Sequence, residues 1–278
     1  MGTAVEYRNI RKDYGDQTVV ENFSLAVKQG EFVTIIGSSG CGKTTVLKMA
    51  TGLIAPTAGD IFLHGENIRG RNMIELRRNI GYAIQGSVLF PHMTVGQNIA
   101  YVPNLLNRRD KARTGEAVRK WMDIVGLGEA LRDRYPDELS GGQQQRVGIA
   151  RSLAASPELL LMDEPFGAVD EITRGQLQTE LKEIHRKTGL TVLFVTHDIS
   201  EALKLGTRVL VMDRGGIEQF AAPAELLRAP ATGFVKKLVE KERRVCRIPE
   251  EKLMDCVYSG AAAENRTESA GGKVSGKK

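Results

Sequence analysis

The octapeptide Gly37-Ser38-Ser39-Gly40-Cys41-Gly42-Lys43-Thr44 constrains this chain more than any other stretch. It fits the pattern G-x-x-x-x-G-K-[ST], with an apolar run over residues 32–36 before it and a helical pattern over 43–50 after it. Strand, glycine-rich turn and helix in that order make a cradle for phosphate. The glycines let the backbone turn tightly and present successive N–H groups, and the helix N-terminus adds its partial positive charge. Lys43 supplies a cation for β- and γ-phosphates, and Thr44 a hydroxyl for Mg²⁺. Cys41, inside the loop, reads as a small side chain that fits.

The patterning around this loop sets the fold class. Residues 5–10 and 22–27 alternate like strands, and 60–64 and 80–84 read as further short ones. The stretch 86–155 is mostly helical in pattern, with loops at Phe90-Pro91 and Tyr135-Pro136. Strands at 159–162, 191–195 and 208–212 then alternate with helices at 171–187 and 199–205. The first of those helices is read with Ile172, Leu177, Leu181 and Ile184 on one side. Short terminal helices follow at 223–227 and 234–240. Such alternation predicts an α/β fold with a largely parallel sheet sandwiched by helices, and the early strands predict an added antiparallel layer. From Ser259 the sequence is rich in Gly, Ala, Ser and Lys and is expected to be disordered.

Charge and cysteine content exclude some functions. The net charge is +5, but residues 236–278 carry eleven Lys/Arg against seven Asp/Glu, which leaves only +1 for residues 1–235. The basic character belongs to the tail, so nucleic acid is not an expected partner. Three cysteines, Cys41, Cys246 and Cys256, show neither a disulfide framework nor metal-ligand spacing, which suits a reducing cytosol. No stretch approaches the ~18 apolar residues of a membrane helix, and the first fifteen residues lack the apolar core of a secretory signal.

Two further groups of residues carry chemistry. An apolar strand ends in Asp163-Glu164, and strand ends beside a phosphate loop are where α/β sheets bind ligands. Asp163 is placed to hold Mg²⁺ directly or through water, and Glu164 to polarise an attacking water. His197 also follows a strand, where a histidine can bond a γ-phosphate oxygen and fix the water's position. His64, His92 and His185 lack that setting and read as structural or exposed.

Leu139-Ser140-Gly141-Gly142-Gln143, opening a helix through Arg151, resembles the signature sequence of ATP-binding cassette (ABC) proteins. The resemblance covers roughly residues 5–240. It takes in the phosphate loop, Gln85, the signature, Asp163-Glu164, Ala168-Val169-Asp170 and His197, in the family's order. It implies an ABC-type P-loop NTPase fold with a mixed or parallel sheet core, an antiparallel β layer and a helical subdomain at about 86–155. The remaining residues, 241–278, form a basic tail. The implied reaction is ATP hydrolysis with Mg²⁺.

In that family Ser140, Gly141, Gly142 and Gln143 complete the nucleotide site of a second subunit, head to tail. Resemblance therefore implies a homodimer, or a heterodimer with a paralogue, that sandwiches two ATP molecules. Tyr14 matches the adenine-stacking aromatic, and residues 38–45, through Thr45, match the phosphate contacts. Gln85 matches the residue that senses Mg²⁺ and water and links to a transmembrane partner. Asp170 matches the acid that crosses the dimer interface, although Gly167 replaces the family's usual serine there. Arg151 reads as a structural surface charge.

A narrower likeness, to importers of quaternary amines and osmoprotectants such as glycine betaine, carnitine or choline, lies in Arg77–Gln85, Leu89–Ala100, Val102-Pro103 and Arg132–Pro136. It implies a subunit peripheral to the cytoplasmic face of the cell membrane. Its partners would be multi-pass permeases and, through them, a solute-binding protein. Only 241–278 remain beyond the cassette, too short for the regulatory CBS domains many such ATPases carry. The alternatives are an importer ATPase for another solute, such as a polyamine or an amino acid, a soluble ABC ATPase without transport, and a nucleotide-gated module with little turnover.

Overall fold

A computed structural model describes residues 2–84, 89–107, 110–167 and 169–245. The chain opens with two long strands, β1 (Thr3–Tyr14) and β2 (Gln17–Lys28), paired antiparallel through a tight turn. After β3 (Phe32–Gly37) and α1 (Lys43–Ala50), β4 (Ala58–Leu63) and β5 (Glu66–Asn67) return to β1. The result is an antiparallel sheet in the order β2-β1-β4-β5, the added layer that the early alternation predicts.

The second sheet follows the apolar runs. A short helix α2 (Met73–Arg78) leads into β6 (Ile80–Ala83). Beyond the helical region come β7 (Leu159–Asp163), α6 (Glu171–Thr188), β8 (Thr191–Val195), α7 (Ile199–Leu205) and β9 (Arg208–Asp213). Strand order is β10-β9-β3-β8-β7-β6, where β10 (Gly216–Ala221) is an antiparallel edge strand and the others run parallel. Every residue of β7 and β8 is buried, as continuous apolar runs in a two-sided sheet require.

The pleat divides these strands between two cores. Leu160 and Met162 of β7, with Val192 and Phe194 of β8, face the helical side, among Val118, Trp121, Met122 and Ile149. Leu159, Leu161, Leu193 and Val195 face the antiparallel sheet and α1, among Tyr7, Phe23, Ile35 and Leu47. A third core joins Val209 and Val211 of β9 to Leu226 of α8 (Pro223–Arg228) and to Val235 and Val239 of α9 (Gly233–Val245). The helical region consists of α3 (Val95–Asn107), α4 (Lys111–Ile124) and α5 (Gly141–Leu153), with 3₁₀ turns at Glu129–Leu131 and Pro136–Glu138.

The structure corrects several expectations. Ile172 does not join the buried face of α6: it is 79% exposed, whereas Leu177, Leu181 and Ile184 are buried. At ~100° per residue it lies roughly 140° from Leu177 around the axis. The last helix runs to Val245 rather than 240, because its basic final turn complements the helix dipole. The strand β10 and helix α2 are absent from the sequence reading. The tail expected to be disordered from Ser259 lies outside the described residues.

Candidate nucleotide site

Strand register gathers the predicted residues. Ile35 of β3 and Asp163 of β7 both pair with Val195 of β8, so the carboxyl ends of three parallel strands lie level. The phosphate loop leaves β3, Asp163-Glu164 end β7, and His197 follows β8 by two residues. Parallel strands with a common end therefore place the cradle, the two acids and the histidine on one rim.

The loop is fixed by close backbone packing. A Cβ on Gly37 would sit 2.0 Å from the carbonyl oxygen of Met212. Gly42, the N-cap of α1, has φ +97°, and a Cβ there would meet Val20 Cγ2 at 2.8 Å. Lys43, 9% exposed, folds into the loop and donates from Nζ to the carbonyls of Gly37 (3.0 Å) and Ser38 (2.8 Å). Its ammonium thus lies inside the loop. Cys41, 3% exposed, has its Sγ 3.8 Å from that ammonium and packs in the core beneath the loop. Ser39 and Gly40 form the outer part of the turn, and Thr45 is half-buried on α1.

The hydroxyl of Thr44 donates to Asp163 Oδ1 at 3.1 Å. Asp163 is 3% exposed; burial pushes its carboxyl up, and the Thr44 hydrogen bond opposes that. Hard oxygen donors on a hydroxyl and a carboxylate suit Mg²⁺, which takes one or two protein oxygens and completes its shell with phosphate and water. Among the described residues no group of three His, Cys, Asp or Glu lies together as metal ligands would. The donor set fits a cation delivered with a nucleotide.

Glu164 has φ +46°, a left-handed conformation that is strained for a residue with a Cβ. Its N–H donates to Val195 O at 3.0 Å, so the neighbouring strand holds the strain. His197, mostly exposed, brings Nδ1 to 3.7 Å from Glu164 Oε2. The two side chains line one crevice with Phe166, Gly167 and Thr196.

Tyr14 stands at the end of β1, half-exposed, opposite Gln17. The same β2 strand brings Val19 and Val20 against Gly42, so this hairpin end overhangs the phosphate loop. Ser140 caps α5: its Oγ accepts from Gln143 N at 3.3 Å, and its N–H donates to Gln143 Oε1 at 2.9 Å. Positions equivalent to a Cβ on Gly141 and Gly142 have nothing within 4 Å, so this helix tip is open. Asp170 caps α6 by accepting from Thr173 N at 3.0 Å, and that hydrogen bond holds its carboxyl below the usual range. Gln85 and Ala168 lie outside the described residues.

Arg151 is not the surface charge its sequence position suggests. Its guanidinium stacks 5.1 Å over the Phe90 ring, and burial lowers its pKa. Sequence reasoning also missed three residues. Asp213 accepts from Ser38 Oγ at 2.6 Å and ties the loop to β9. Asn98, fully buried, donates to the carbonyls of Phe90, Met93 and Thr94 and shapes the loop before α3. Tyr82 has a buried hydroxyl with no protein partner, and burial beside the Asp163 charge pushes its pKa up to about 12. Of these, Asn98 alone carried a signal, a polar residue amid an apolar helical stripe.

Comparison with known proteins gives this geometry its family. The chain is 50% identical over 238 residues to the choline transport ATP-binding protein OpuBA of Bacillus subtilis, covering 85% of this chain and 62% of that protein. It therefore spans less than two thirds of that relative's length. It is 48% identical over 233 residues to the glycine betaine uptake system ATP-binding protein YehX of Escherichia coli, covering 84% of this chain and 75% of that one. A solved dimeric post-hydrolysis state of the ATP-binding cassette MJ0796, bound to ADP and Pi, matches with a TM-score of 0.72 at 32% identity, covering 79% of this chain and 98% of that one. A family model described as ABC transporter matches residues 20–167. That match spans more than half of the sequence and contains the phosphate loop, the signature and both strand-end acids; the chain belongs to the ABC transporter family.

Proposed function

We propose that this chain is the ATP-hydrolysing subunit of a membrane importer for a small quaternary amine or related osmoprotectant. The observation that carries the reading is the common rim of β3, β7 and β8, which joins Thr44 to Asp163 at 3.1 Å and brings His197 to 3.7 Å from Glu164. The names of relatives at about half identity supply the solute class.

In this reading residues 1–240 are the cassette, with the helical subdomain at 86–155, and 241–278 a basic tail. Tyr14 stacks on the adenine. Ser38, Ser39, Gly40, Cys41, Gly42, Lys43, Thr44 and Thr45 receive the phosphates. Thr44, Asp163 and Gln85 hold Mg²⁺, which neutralises phosphate charge when bound. Glu164 takes a proton from the attacking water while the water's oxygen bonds to the γ-phosphorus, and the bridging oxygen leaves with ADP. His197 orients that water. Ser140–Gln143 of a second copy close over the same nucleotide, and Asp170 lies at the boundary between copies. Closure would then act on a multi-pass permease, and through it on a solute-binding protein. The subunit itself would sit peripherally at the cytoplasmic face of the membrane, in keeping with the absence among the described residues of any helix long and apolar enough to cross one.

The test is phosphate release and uptake in vesicles carrying this chain with a cognate permease and binding protein. ATP-dependent accumulation of labelled choline or glycine betaine, lost in Lys43→Ala, is the expected result. Hydrolysis coupled to a different solute would replace the solute class, and absence of hydrolysis would overturn the enzymatic reading.

A further inference from the structure

Arg174 has no part in the steps above, yet its surroundings are the loops that carry them. It stands one turn into α6, where its N–H donates to Asp170 O at 2.8 Å. Its Nη2 donates to Val169 O at 3.1 Å, and its Nη1 lies 4.0 Å from Asp198 Oδ2. Its Nε is buried with no protein hydrogen-bond partner. The side chain shares a crevice with Glu164, Gly167, Thr196, His197 and Glu201.

The His197 loop is held on both sides. Asp198 N donates to Thr196 Oγ1 at 3.0 Å, and Asp198 Oδ1 accepts from Glu201 N at 3.1 Å. Glu201, 5% exposed, accepts from Gln178 Nε2 at 2.9 Å, and Lys204 donates to Gln178 Oε1 at 2.9 Å. A displacement of Asp198 must therefore carry the His197 backbone with it. A guanidinium is a rigid planar fork. With one prong on the Val169 carbonyl and the other toward the Asp198 carboxylate, it passes movement between two loops that share no strand.

We propose that Arg174 is a positioning residue that ties the loop ending at Asp170 to the loop carrying His197, so that the placement of one sets the approach of His197 to Glu164. Its kinetic consequence rests on the ATP-hydrolysis reading; the mechanical tie is a property of the chain alone.

The test compares Arg174→Met and Arg174→Lys in the full chain. Misplacing a catalytic group by ~1 Å lowers turnover by roughly 10²-fold, so Arg174→Met should lower kcat by about that factor with KM for ATP changed less than about twofold. Arg174→Lys, which keeps a cation, should recover part of the loss. In a His197→Ala background Arg174→Met should cost less than about twofold further, because coupled residues are non-additive. Hydrogen exchange at amides 196–199 of the nucleotide-free chain should quicken in Arg174→Met while β7 and β8 amides keep wild-type rates. Full additivity with His197→Ala, or unchanged exchange at 196–199, overturns the tie. A wild-type chain that hydrolyses no ATP would instead overturn the proposed function, and the exchange measurement alone would then decide the tie.

Discussion

Thr44 and Asp163, 119 residues apart in sequence, meet through a 3.1 Å hydrogen bond between the first turn of α1 and the last residue of β7. The bond sets the relative position of the two oxygens proposed to hold Mg²⁺. It also gives the buried Asp163 carboxylate a donor that burial alone would deny it.

Replacing that hydroxyl by a methyl should separate metal use from phosphate binding. Thr44→Val keeps the side chain's shape and leaves Lys43 and the backbone cradle intact. Loss of a hydrogen bond to a charged group costs about 1.5–3 kcal/mol, so the melting temperature should fall measurably. Nucleotide titrations with and without Mg²⁺ provide the sharper readout. Wild type should bind ATP more tightly with Mg²⁺, and Thr44→Val should lose that difference. An undiminished Mg²⁺ effect would remove Thr44 from the metal's ligands.

One substitution at two glycines should have opposite outcomes. Gly37→Ala drives a Cβ to 2.0 Å from the Met212 carbonyl oxygen, a contact backbone must move to relieve. Destabilisation on the order of 4 kcal/mol or more, or failure to fold, is expected. Gly141→Ala meets nothing within 4 Å and should leave stability within about 0.5 kcal/mol of wild type. Under the shared-site reading its Cβ instead intrudes on the partner's nucleotide, so ATPase should fall while the melting curve stays put. Equal melting temperatures for the two variants would contradict the packing at Gly37.

Much of this site was legible in the sequence because its parts are local. The glycine loop, the Asp163-Glu164 strand end and His197 after its strand are each short segments read from residue order, and Ser140–Gln143 was readable as a helix N-terminus and through its resemblance to a family signature. What was not legible is long-range or angular. Asp213 reaches Ser38 only because β9 pairs with β3, and nothing near Asp213 signals that. Ile172 was misplaced because a single apolar residue at the start of a helix lies off the stripe that three later ones define. Strand β10 escaped because Gly216–Ala221 is an edge strand of half-buried residues, with neither the alternation nor the apolar run that marks other strands.

Burial pushes the Glu201 carboxyl above its ordinary 4.5, an effect larger than the opposing hydrogen bonds from Thr196 and Gln178. Between pH 4.5 and its raised folded value, the folded state holds more of this proton than the unfolded chain, so stability falls as pH rises through that window. Above the folded value the penalty is complete. Glu201→Gln does not titrate. The stability of Glu201→Gln relative to wild type should therefore be greater at pH 7 than at pH 4, measured by urea unfolding at each. A relative stability that falls over the same interval would mean that the folded state favours the carboxylate.

The open tip of α5 and the filled cradle of α1 predict a complementation that neither variant shows alone. Ser140→Arg places bulk and charge where a partner's phosphate would lie, while its own Lys43 stays intact. Lys43→Ala removes the cation, while its own Ser140 stays intact. Each homodimer then has two broken sites and should be inactive. Mixed in equal amounts, the chains pair at random, and half of the dimers combine the two lesions in one composite site and leave the other whole. If one whole site suffices, the mixture should regain roughly a quarter of wild-type phosphate release at the same total concentration. Recovery should depend on protein concentration, because it requires pairing. If instead Ser140→Arg alone hydrolyses ATP at the wild-type rate, or the mixture never exceeds the sum of its parts, then Ser140 does not serve the nucleotide of a second copy.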